Sequence, residues 1–423
     1  MTRRFGLLVG LVGLAAWLAA CTAPGASSDD GVSALQQRVQ ALEASVRDLS
    51  AQAAAATAAQ PAAAWRLEPD PAVVDFKRAD AQVVEQALVD PPFLPEHDQV
   101  ASGPPRLVRI RMEIVEREVE VAPGVWVWQM AFNNSVPGPV PVVFQWDWVE
   151  LTLVNAATGA AGFTVAEGAA NTLLHNIDFH ASTGALGGGE LTKINPGEEV
   201  VLTWRATKAG LFVYHCAPGG AMVPYHVVTG GNGAILVLPR EGLRDGHGNP
   251  VRYDRAFYFG EQDYYVPKNP DGTWRRATNF VDQMVPMLER MDTLVPSHVV
   301  FNGQTGALTQ HIRLEADVGQ TVLLLHSQAN YPSWPHLIGG HGDWVWPYGK
   351  FNHPPDEGLE TWDVVPGGTA AAVYTFLQPG VYAYLNHNLI MAFVKDAKAF
   401  IHVEGEWDDA LMEQTVAPRQ AGN

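Results

Sequence analysis

From Arg106 onward, hydrophobic and polar residues alternate with a period of two over short stretches of the chain. Such alternation is typical of a β-strand with one buried and one solvated face. The clearest stretch is Val108, Ile110, Met112 and Ile114. Further apolar runs, separated by turn residues such as Asn195-Pro196-Gly197, occur at 142–154, 200–214, 299–301, 322–325, 373–376 and 381–384. The pattern predicts an all-β fold, with one helical stretch at 281–294.

A polar, turn-rich stretch at 244–250 separates these strands into two sets. Two β-sandwiches in tandem are the economical architecture, because each sandwich buries the apolar faces of its own strands. We therefore expect domain 1 at 106–245 and domain 2 at 246–405, followed by a C-terminal tail at 406–423.

A different pattern precedes the strands. Apolar residues recur at alternating spacings of three and four, at Val32, Leu35, Val39, Leu42, Val46 and Leu49. This spacing is typical of a coiled-coil seam and predicts a short helical stalk at 32–58. An Ala-, Gln- and Pro-rich segment follows, so we expect a linker and an N-terminal arm at 59–105.

The first 20 residues have the features of a signal peptide, since two arginines precede an apolar run too short to span a bilayer comfortably. The run ends in Leu18-Ala19-Ala20-Cys21, which resembles the lipobox of bacterial lipoproteins. We expect Cys21 to be lipidated and to begin a tether at 21–31. The protein would then be exported and membrane-anchored, facing the periplasm or the cell exterior. An ordinary secretory signal that contains a cysteine is the alternative.

The overall charge and the cysteine count narrow the range of functions. The 423 residues carry a formal net charge of -18, which argues against nucleic acid as a partner because phosphates need a basic surface. The chain has 2 cysteines, and lipidation of Cys21 leaves Cys216 without a disulfide partner. An unpaired cysteine in an exported protein calls for an explanation.

Four histidines flank Cys216 in two short segments, His175 to His180 and His215 to His226. One thiolate and two imidazoles are the ligand set of a mononuclear blue copper site. Successive side chains of an extended chain point to opposite faces, so His215 and Cys216 cannot easily bind one metal. We therefore assign Cys216, His175 and His226 to one metal and His180 and His215 to a second, with a short covalent path for an electron between them. Structural histidines around a core cysteine are the alternative.

The strings that carry these residues resemble the copper-containing nitrite reductases. The resemblance covers roughly 106–418 and rests on His175-Asn-Ile-Asp-Phe-His180, His215-Cys-Ala-Pro218, Val223-Pro-Tyr-His226, Pro335-His336-Leu-Ile-Gly-Gly-His341 and Leu385-Asn386-His387-Asn-Leu-Ile390. It implies two cupredoxin-like Greek-key domains, a homotrimer and two coppers per chain. One is an electron-accepting type 1 copper, and the other is a catalytic type 2 copper between subunits.

The resemblance also implies roles for single residues. His175, Cys216 and His226 would bind the type 1 copper. The type 2 copper would be held by His180 and His215 of one subunit and His387 of its neighbour. Asp178 and His336 match the pair that supplies protons, and Ile338 matches the apolar residue over the catalytic copper. The segment that orients the catalytic histidine is matched by Glu360, Thr361 and Trp362.

The sequence departs from the family at the axial position of the type 1 copper. The family has a methionine five residues after the second type 1 histidine, where this chain has Gly231. Met130 and Met222 are candidate substitutes, and we favour Met130; water or an empty position are the alternatives. The segment Tyr331-Pro-Ser-Trp334 lacks the expected charged residues, and an insertion at 159–168 lengthens the loop before His175.

The expected function is reduction of nitrite to nitric oxide by a lipid-anchored trimer. Electrons would come from a small donor protein, a cytochrome c or a cupredoxin, and would pass from the type 1 to the type 2 copper through Cys216 and His215. An electron-transfer cupredoxin, or a copper-binding protein that has lost turnover, is the alternative. A multicopper oxidase is disfavoured, because the chain lacks the His-x-His pairs and the His-Cys-His triplet of a trinuclear cluster.

Overall fold

The computed structural model describes residues 70–156 and 171–419, together with the isolated positions 40, 41 and 44. Gln40, Ala41 and Ala44 are helical and exposed. Most of the heptad segment, Cys21 and the insertion at 159–168 lie outside the described residues, so the predictions made for them stay predictions. Within the described part of the chain, no helix has the length and apolar character needed to cross a membrane.

Two sheets form the first half of the unit that runs from Leu67 to the C-terminus. In the first sheet the strand order is β1-β2-β5-β7, with β3 paired to β2. In the second sheet it is β4-β9-β8-β6. The bounds are β1 Val83–Glu85, β2 Leu107–Ala122, β3 Val125–Phe132, β4 Val142–Phe144, β5 Trp148–Asn155, β6 Asp178–Phe179, β7 Glu199–Arg205, β8 Gly210–His215 and β9 Asn232–Leu238.

Two further sheets form the second half, with strand orders β11-β10-β13-β17-β15-β16 and β12-β19-β18-β14. Their bounds are β10 Arg255–Tyr264, β11 His298–Phe301, β12 Leu314–Asp317, β13 Thr321–Gln328, β14 Pro335–Ile338, β15 Gly342–Trp346, β16 Asp356–Leu359, β17 Gly368–Thr375, β18 Gly380–Asn386 and β19 Lys398–Glu404. Within residues 70–156 and 171–419, the α-helices span Pro71–Val74, Met222–Val228 and Phe280–Met291. The predicted all-β class is confirmed.

The run Val322-Leu323-Leu324-Leu325 in β13 is apolar at every position because this strand is buried on both faces. Val322 and Leu324 point into the core of the second pair of sheets. Leu323 and Leu325 point the other way, into a separate apolar layer that also contains Leu211 and Leu236 of the first pair of sheets. Alternate side chains of one strand therefore serve two different cores, which joins the two halves of the molecule.

Two predicted runs are each split into two strands. The run 142–154 breaks between β4 and β5, where Trp146 has a φ of 74° and Asp147 is fully buried. The Asp147 carboxylate accepts hydrogen bonds from Arg106 and Arg240, so this turn ties three parts of the chain together. The run 200–214 breaks at Ala206–Ala209, between β7 and β8. Because each run is apolar throughout, the sequence pattern does not indicate where the turn between its two strands lies.

The predicted helix at 281–294 is confirmed in place, although it spans Phe280–Met291. Asn279 caps its N-terminus, since the Asn279 side chain accepts a hydrogen bond from the Asp282 backbone N–H. The helix Met222–Val228 was not predicted. It has only seven residues and no polar face, so it shows no helical periodicity, and its Pro224 is tolerated only because it lies in the first turn.

A buried carboxylate on β10 anchors the segment that leads to His336. The Asn330 side chain donates a hydrogen bond to Asp263 Oδ2 at 2.6 Å. Burial raises the pKa of Asp263 to about 6, although hydrogen bonds from Asn330 and Tyr265 oppose the rise. The ionised form of Asp263 therefore costs stability in the folded protein.

We predict that the contribution of Asp263 to the free energy of unfolding falls as the pH rises from about 4 to about 7, because folding favours protonated Asp263 and the unfolded chain does not. Asp263→Asn removes this loss, on the order of 2 kcal/mol, since a neutral amide replaces the buried anion. Urea unfolding at pH 5 and pH 8 measures the effect. An equal pH dependence in the wild-type and Asp263→Asn proteins would contradict it.

Candidate metal centres

The first cluster, called here the cysteine site, consists of His175, Cys216 and His226. Their donor atoms all lie within 4.8 Å of one another, and all three side chains are buried. The Cys216 sulfur is 3.1 Å from Nδ1 of His226 and 3.7 Å from Nδ1 of His175. The imidazole rings are 4.8 Å apart, centroid to centroid. The structure thus brings together the three residues that the sequence assigned to one metal.

Three different elements deliver these ligands. Cys216 follows directly after β8, while His175 is held by a bridge to Ile194 just before β6. His226 lies on the helix Met222–Val228. His175 lies 41 residues from Cys216 along the chain, whereas His226 lies only 10 residues from it, and the mutual position of the ligands depends on the packing of the second sheet.

The donor set fits a thiophilic metal ion. Burial raises the pKa of Cys216 to about 12, so the thiolate would form here only against a cation. Burial also lowers the pKa of His226 well below its ordinary value, with His175 adding to the effect, so that this imidazole is neutral and free to donate a lone pair. A buried thiolate and two imidazoles match the preference of copper for soft sulfur and nitrogen ligands.

Asn176 fixes the position of the sulfur. Its backbone N–H points at Cys216 Sγ over 3.4 Å, and its side-chain oxygen accepts a hydrogen bond from the Ala217 backbone N–H at 2.7 Å. The side-chain nitrogen donates to the carbonyls of Gly189 and Ala217. This fully buried amide therefore braces both sides of the thiol and limits rearrangement around it.

Glu116 orients His175 and was not predicted from the sequence. Its Oε1 atom accepts a hydrogen bond from His175 Nε2 at 3.0 Å, which leaves Nδ1 facing the sulfur. The carboxylate also accepts hydrogen bonds from Thr172 and Leu173. Burial alone would raise the pKa of Glu116, but these hydrogen bonds outweigh it and hold the pKa below its ordinary value. Its only sequence signal was an acidic residue at a buried position of β2.

Phe280 covers the cysteine site from the second half of the molecule. Its ring lies 6.2 Å from the His175 ring and 5.7 Å from the His226 ring, centroid to centroid. The Tyr225 hydroxyl donates a hydrogen bond to the Phe280 carbonyl, which fixes the start of the helix Phe280–Met291 against the ligand helix. This aromatic cover keeps water away from the three ligands.

The second cluster, called here the Asp178 cluster, consists of Asp178, His180 and His215. Their donor atoms also lie within 4.8 Å of one another, and the Nε2 atoms of the two histidines are 3.1 Å apart. Asp178 and His215 face each other in the β6–β8 register, and directly opposed residues project to the same side of a sheet. His180 is exposed as a residue, but packing against the protein partly desolvates its ring. This desolvation, together with nearby His215, lowers the pKa of His180 and favours the neutral ligand form.

The loop at Gly187 packs directly against the Asp178 carboxylate. Gly187 has a φ of 56°, and a Cβ atom at this position would overlap Asp178 Oδ1. The loop can therefore approach the carboxylate closely only because residue 187 has no side chain. The glycine-rich string Gly187-Gly188-Gly189 was visible in the sequence, but nothing in it indicated which side chain it would contact.

The remaining predicted residues form the His387 cluster: His336, Ile338, Glu360, Thr361 and His387. The His336 and His387 rings are perpendicular, with centroids 4.7 Å apart. His336 Nδ1 donates a hydrogen bond to the Glu360 carbonyl at 2.7 Å and lies 3.4 Å from Thr361 Oγ1. Among the described residues, the metal-binding group around Asp178 includes neither His336 nor His387.

The surface around the His387 cluster is apolar. Ile338 is 44% exposed and Val394 is 75% exposed, and Leu389, Ile390 and Phe393 are also exposed. His387 itself is exposed, while its neighbour Asn386 is buried and donates a hydrogen bond to Glu261. His387 lies on an apolar surface and is therefore available to a molecule that packs against this face.

Comparisons with known proteins agree with this geometry. A family model described as "Multicopper oxidase" matches residues 255–407. The copper-containing nitrite reductase of Cereibacter sphaeroides is 54% identical over 335 residues, which cover 79% of this chain and 86% of the relative. That of Alcaligenes xylosoxydans is 52% identical and covers 79% and 98%. A solved copper nitrite reductase from Nitrosomonas europaea is 25% identical, covers 72% and 96%, and has a TM-score of 0.56.

Paired sheets and two clusters of metal-binding side chains define a two-domain protein of the cupredoxin class. The sequence identity to these relatives and the share of each chain that it covers identify the family within this class. The chain belongs to the copper-containing nitrite reductase family.

We predict that Glu116→Gln lowers the free energy of unfolding of the metal-free protein by about 1–3 kcal/mol. The Glu116 carboxylate accepts hydrogen bonds on both oxygens, from His175 and Thr172 among others, and the amide nitrogen of glutamine cannot accept one of them. The folded-state pKa of Glu116 is lowered, so its contribution is present at neutral pH and is lost as the pH falls through that pKa. Urea unfolding at pH 7 measures the loss. The exposed Glu120→Gln is the matched control on β2, and equal losses in both variants would refute the assignment.

Proposed function

We propose that this chain reduces nitrite to nitric oxide and water, consuming one electron and two protons. The observation that supports this most directly is the pair of clusters joined by His215 and Cys216, adjacent residues that belong to different clusters. Copper bound at the two clusters would supply an electron acceptor and an open coordination position for a small anion. The high identity to copper-containing nitrite reductases supports the same function.

The two clusters have different environments, which suits different tasks. The cysteine site is buried and braced by Asn176 and Glu116, so we assign it the type 1 copper and electron transfer. The Asp178 cluster is partly exposed, so we assign it the type 2 copper and the substrate. The covalent link between His215 and Cys216 gives an electron a short path from one to the other.

Asp178 and His336 are the proposed proton donors. Asp178 lies within a few ångströms of both histidines of its cluster, where its carboxyl group can pass a proton to bound nitrite. His336 is held by the Glu360 carbonyl, which fixes the tautomer with Nδ1 protonated and leaves Nε2 for proton exchange. Ile338 would limit the space above the substrate.

We further propose that His387 completes the type 2 site of a neighbouring subunit in a homotrimer. Two facts support this: among the described residues the Asp178 cluster has two histidines, and His387 lies on an exposed apolar surface. Three subunits close a ring in which each Asp178 cluster meets the His387 cluster of its neighbour.

We also make proposals for the location of the protein, its electron donor and its domain bounds. Cys21 would be the lipid-modified residue that anchors the protein on the periplasmic side or at the cell exterior, and the heptads at 32–58 would form the stalk. The electron donor would be a small protein, a cytochrome c or a cupredoxin. Domain 1 would span 106–245 and domain 2 would span 246–405.

We predict that His387→Ala abolishes conversion of nitrite to nitric oxide while the thiolate-to-copper absorption band remains. The reason is that His387 contributes only to the type 2 site, so one of two bound coppers is lost. Copper analysis, the electronic spectrum and nitric oxide formation measure these effects. The exposed His353→Ala is the control and should match the wild type. Full copper occupancy in His387→Ala would contradict the assignment.

We also predict that Asp178→Asn lowers turnover by a factor on the order of 10²–10⁴, the range for positioned proton donors, without loss of copper. Gly187→Ala should act in the same direction, because its Cβ atom displaces the carboxylate. The outward-facing Gly184→Ala is the control, since nothing lies within 4 Å of a Cβ atom there. Unchanged turnover in Asp178→Asn would remove this residue from the mechanism.

A further inference from the structure

Gly231 occupies a sensitive position beside the cysteine site. Its backbone N–H donates to the His226 carbonyl at 2.8 Å, and its carbonyl accepts from the Cys216 backbone N–H at 2.9 Å. The residue therefore connects the two ligand-bearing segments directly. Unlike Gly230, it has no positive φ, so backbone conformation gives no reason for glycine here.

The reason for glycine is the side chain of Met130. A Cβ atom added at residue 231 would overlap Met130 Sδ, and the next atoms it would meet belong to the His226 backbone. The thioether therefore fills the space in which a side chain at position 231 would begin. Met130 is fully buried, so this space is closed to solvent by the methionine itself.

Strand register gives independent support for the direction of Met130. In the β2–β3 pair, Met130 lies directly opposite Glu116. Directly opposed residues project from the same face, and the Glu116 carboxylate contacts His175 Nε2 at 3.0 Å. The face of β3 that carries Met130 is therefore the face turned toward the cysteine site.

The geometry points to Met130 Sδ as the axial donor to copper at the cysteine site, supplied from β3 in place of the side chain that Gly231 lacks. This inference rests on the proposed function, because it assumes type 1 copper at His175, Cys216 and His226. A thioether is a weak, soft ligand that suits the axial position of such a site. Met222 is less suited, since it is half-buried at the first residue of its helix and packs at the edge of the core.

The test is to make Met130→Leu, load the purified full-length protein with copper, and record its electronic and electron paramagnetic resonance spectra and its type 1 potential. Leucine conserves volume, so the fold should survive. We expect altered relative intensities of the thiolate-to-copper bands and a shifted potential. Met222→Leu and the buried Met112→Leu are matched controls that should reproduce the wild-type spectrum.

A double variant separates ligation from packing. In Met130→Ala with Gly231→Met, the shortened side chain at residue 130 leaves room for the new methionine and a thioether returns to the site, so the spectrum and the potential should move back toward wild type relative to Met130→Ala alone. An unchanged spectrum in Met130→Leu and in Met130→Ala overturns the inference. Either result would concern only the axial ligand, because nitrite turnover and the thiolate-to-copper band of the wild-type protein would still support the proposed function. The absence of that band in the copper-loaded wild type would instead overturn the type 1 assignment itself.

Discussion

Neighbouring residues in an extended chain point to opposite sides, and the arrangement of this molecule depends on that constraint at one dipeptide. His215 ends β8 and Cys216 follows it, so their side chains separate into two clusters although they share a peptide bond. The cysteine turns into the core and requires a closed, braced site. The histidine turns outward, where it can meet a substrate. Electron entry and chemistry are thereby kept apart, yet remain linked by a few covalent bonds.

The two sites differ in how complete they are within one chain. The cysteine site has all of its donors and its supporting hydrogen bonds in a single chain, including the cover from Phe280. The Asp178 cluster is open, and the His387 cluster presents a further imidazole on a separate, apolar surface. Burial favours electron transfer, because a shielded site needs little reorganisation. The open Asp178 cluster leaves room for an anion, and the proposed sharing between subunits would place His387 and the proton donors Asp178 and His336 around it.

Periodicity and motif spacing predicted much of this from the sequence, and the reasons for the failures are physical. Side-chain parity separated His215 from Cys216, and the structure places these two residues in different groups. Glu116 was missed because a single acidic residue in a strand does not indicate its partner. The helix Met222–Val228 was missed because it has only seven residues, too few to show a helical period. Contacts made by Gly187 and Gly231 depend on tertiary packing, which a glycine in a sequence cannot indicate.

The central claim is that the catalytic site forms between subunits, and subunit complementation tests it most directly. Chains with His180→Ala and chains with His387→Ala should each be inactive alone, because every site lacks one histidine. Coexpressed, they should assemble mixed trimers in which an intact Asp178 cluster meets an intact His387 cluster, and nitrite reduction should return together with part of the type 2 copper. Mixed trimers that contain both chains and recover neither activity nor copper would contradict the account.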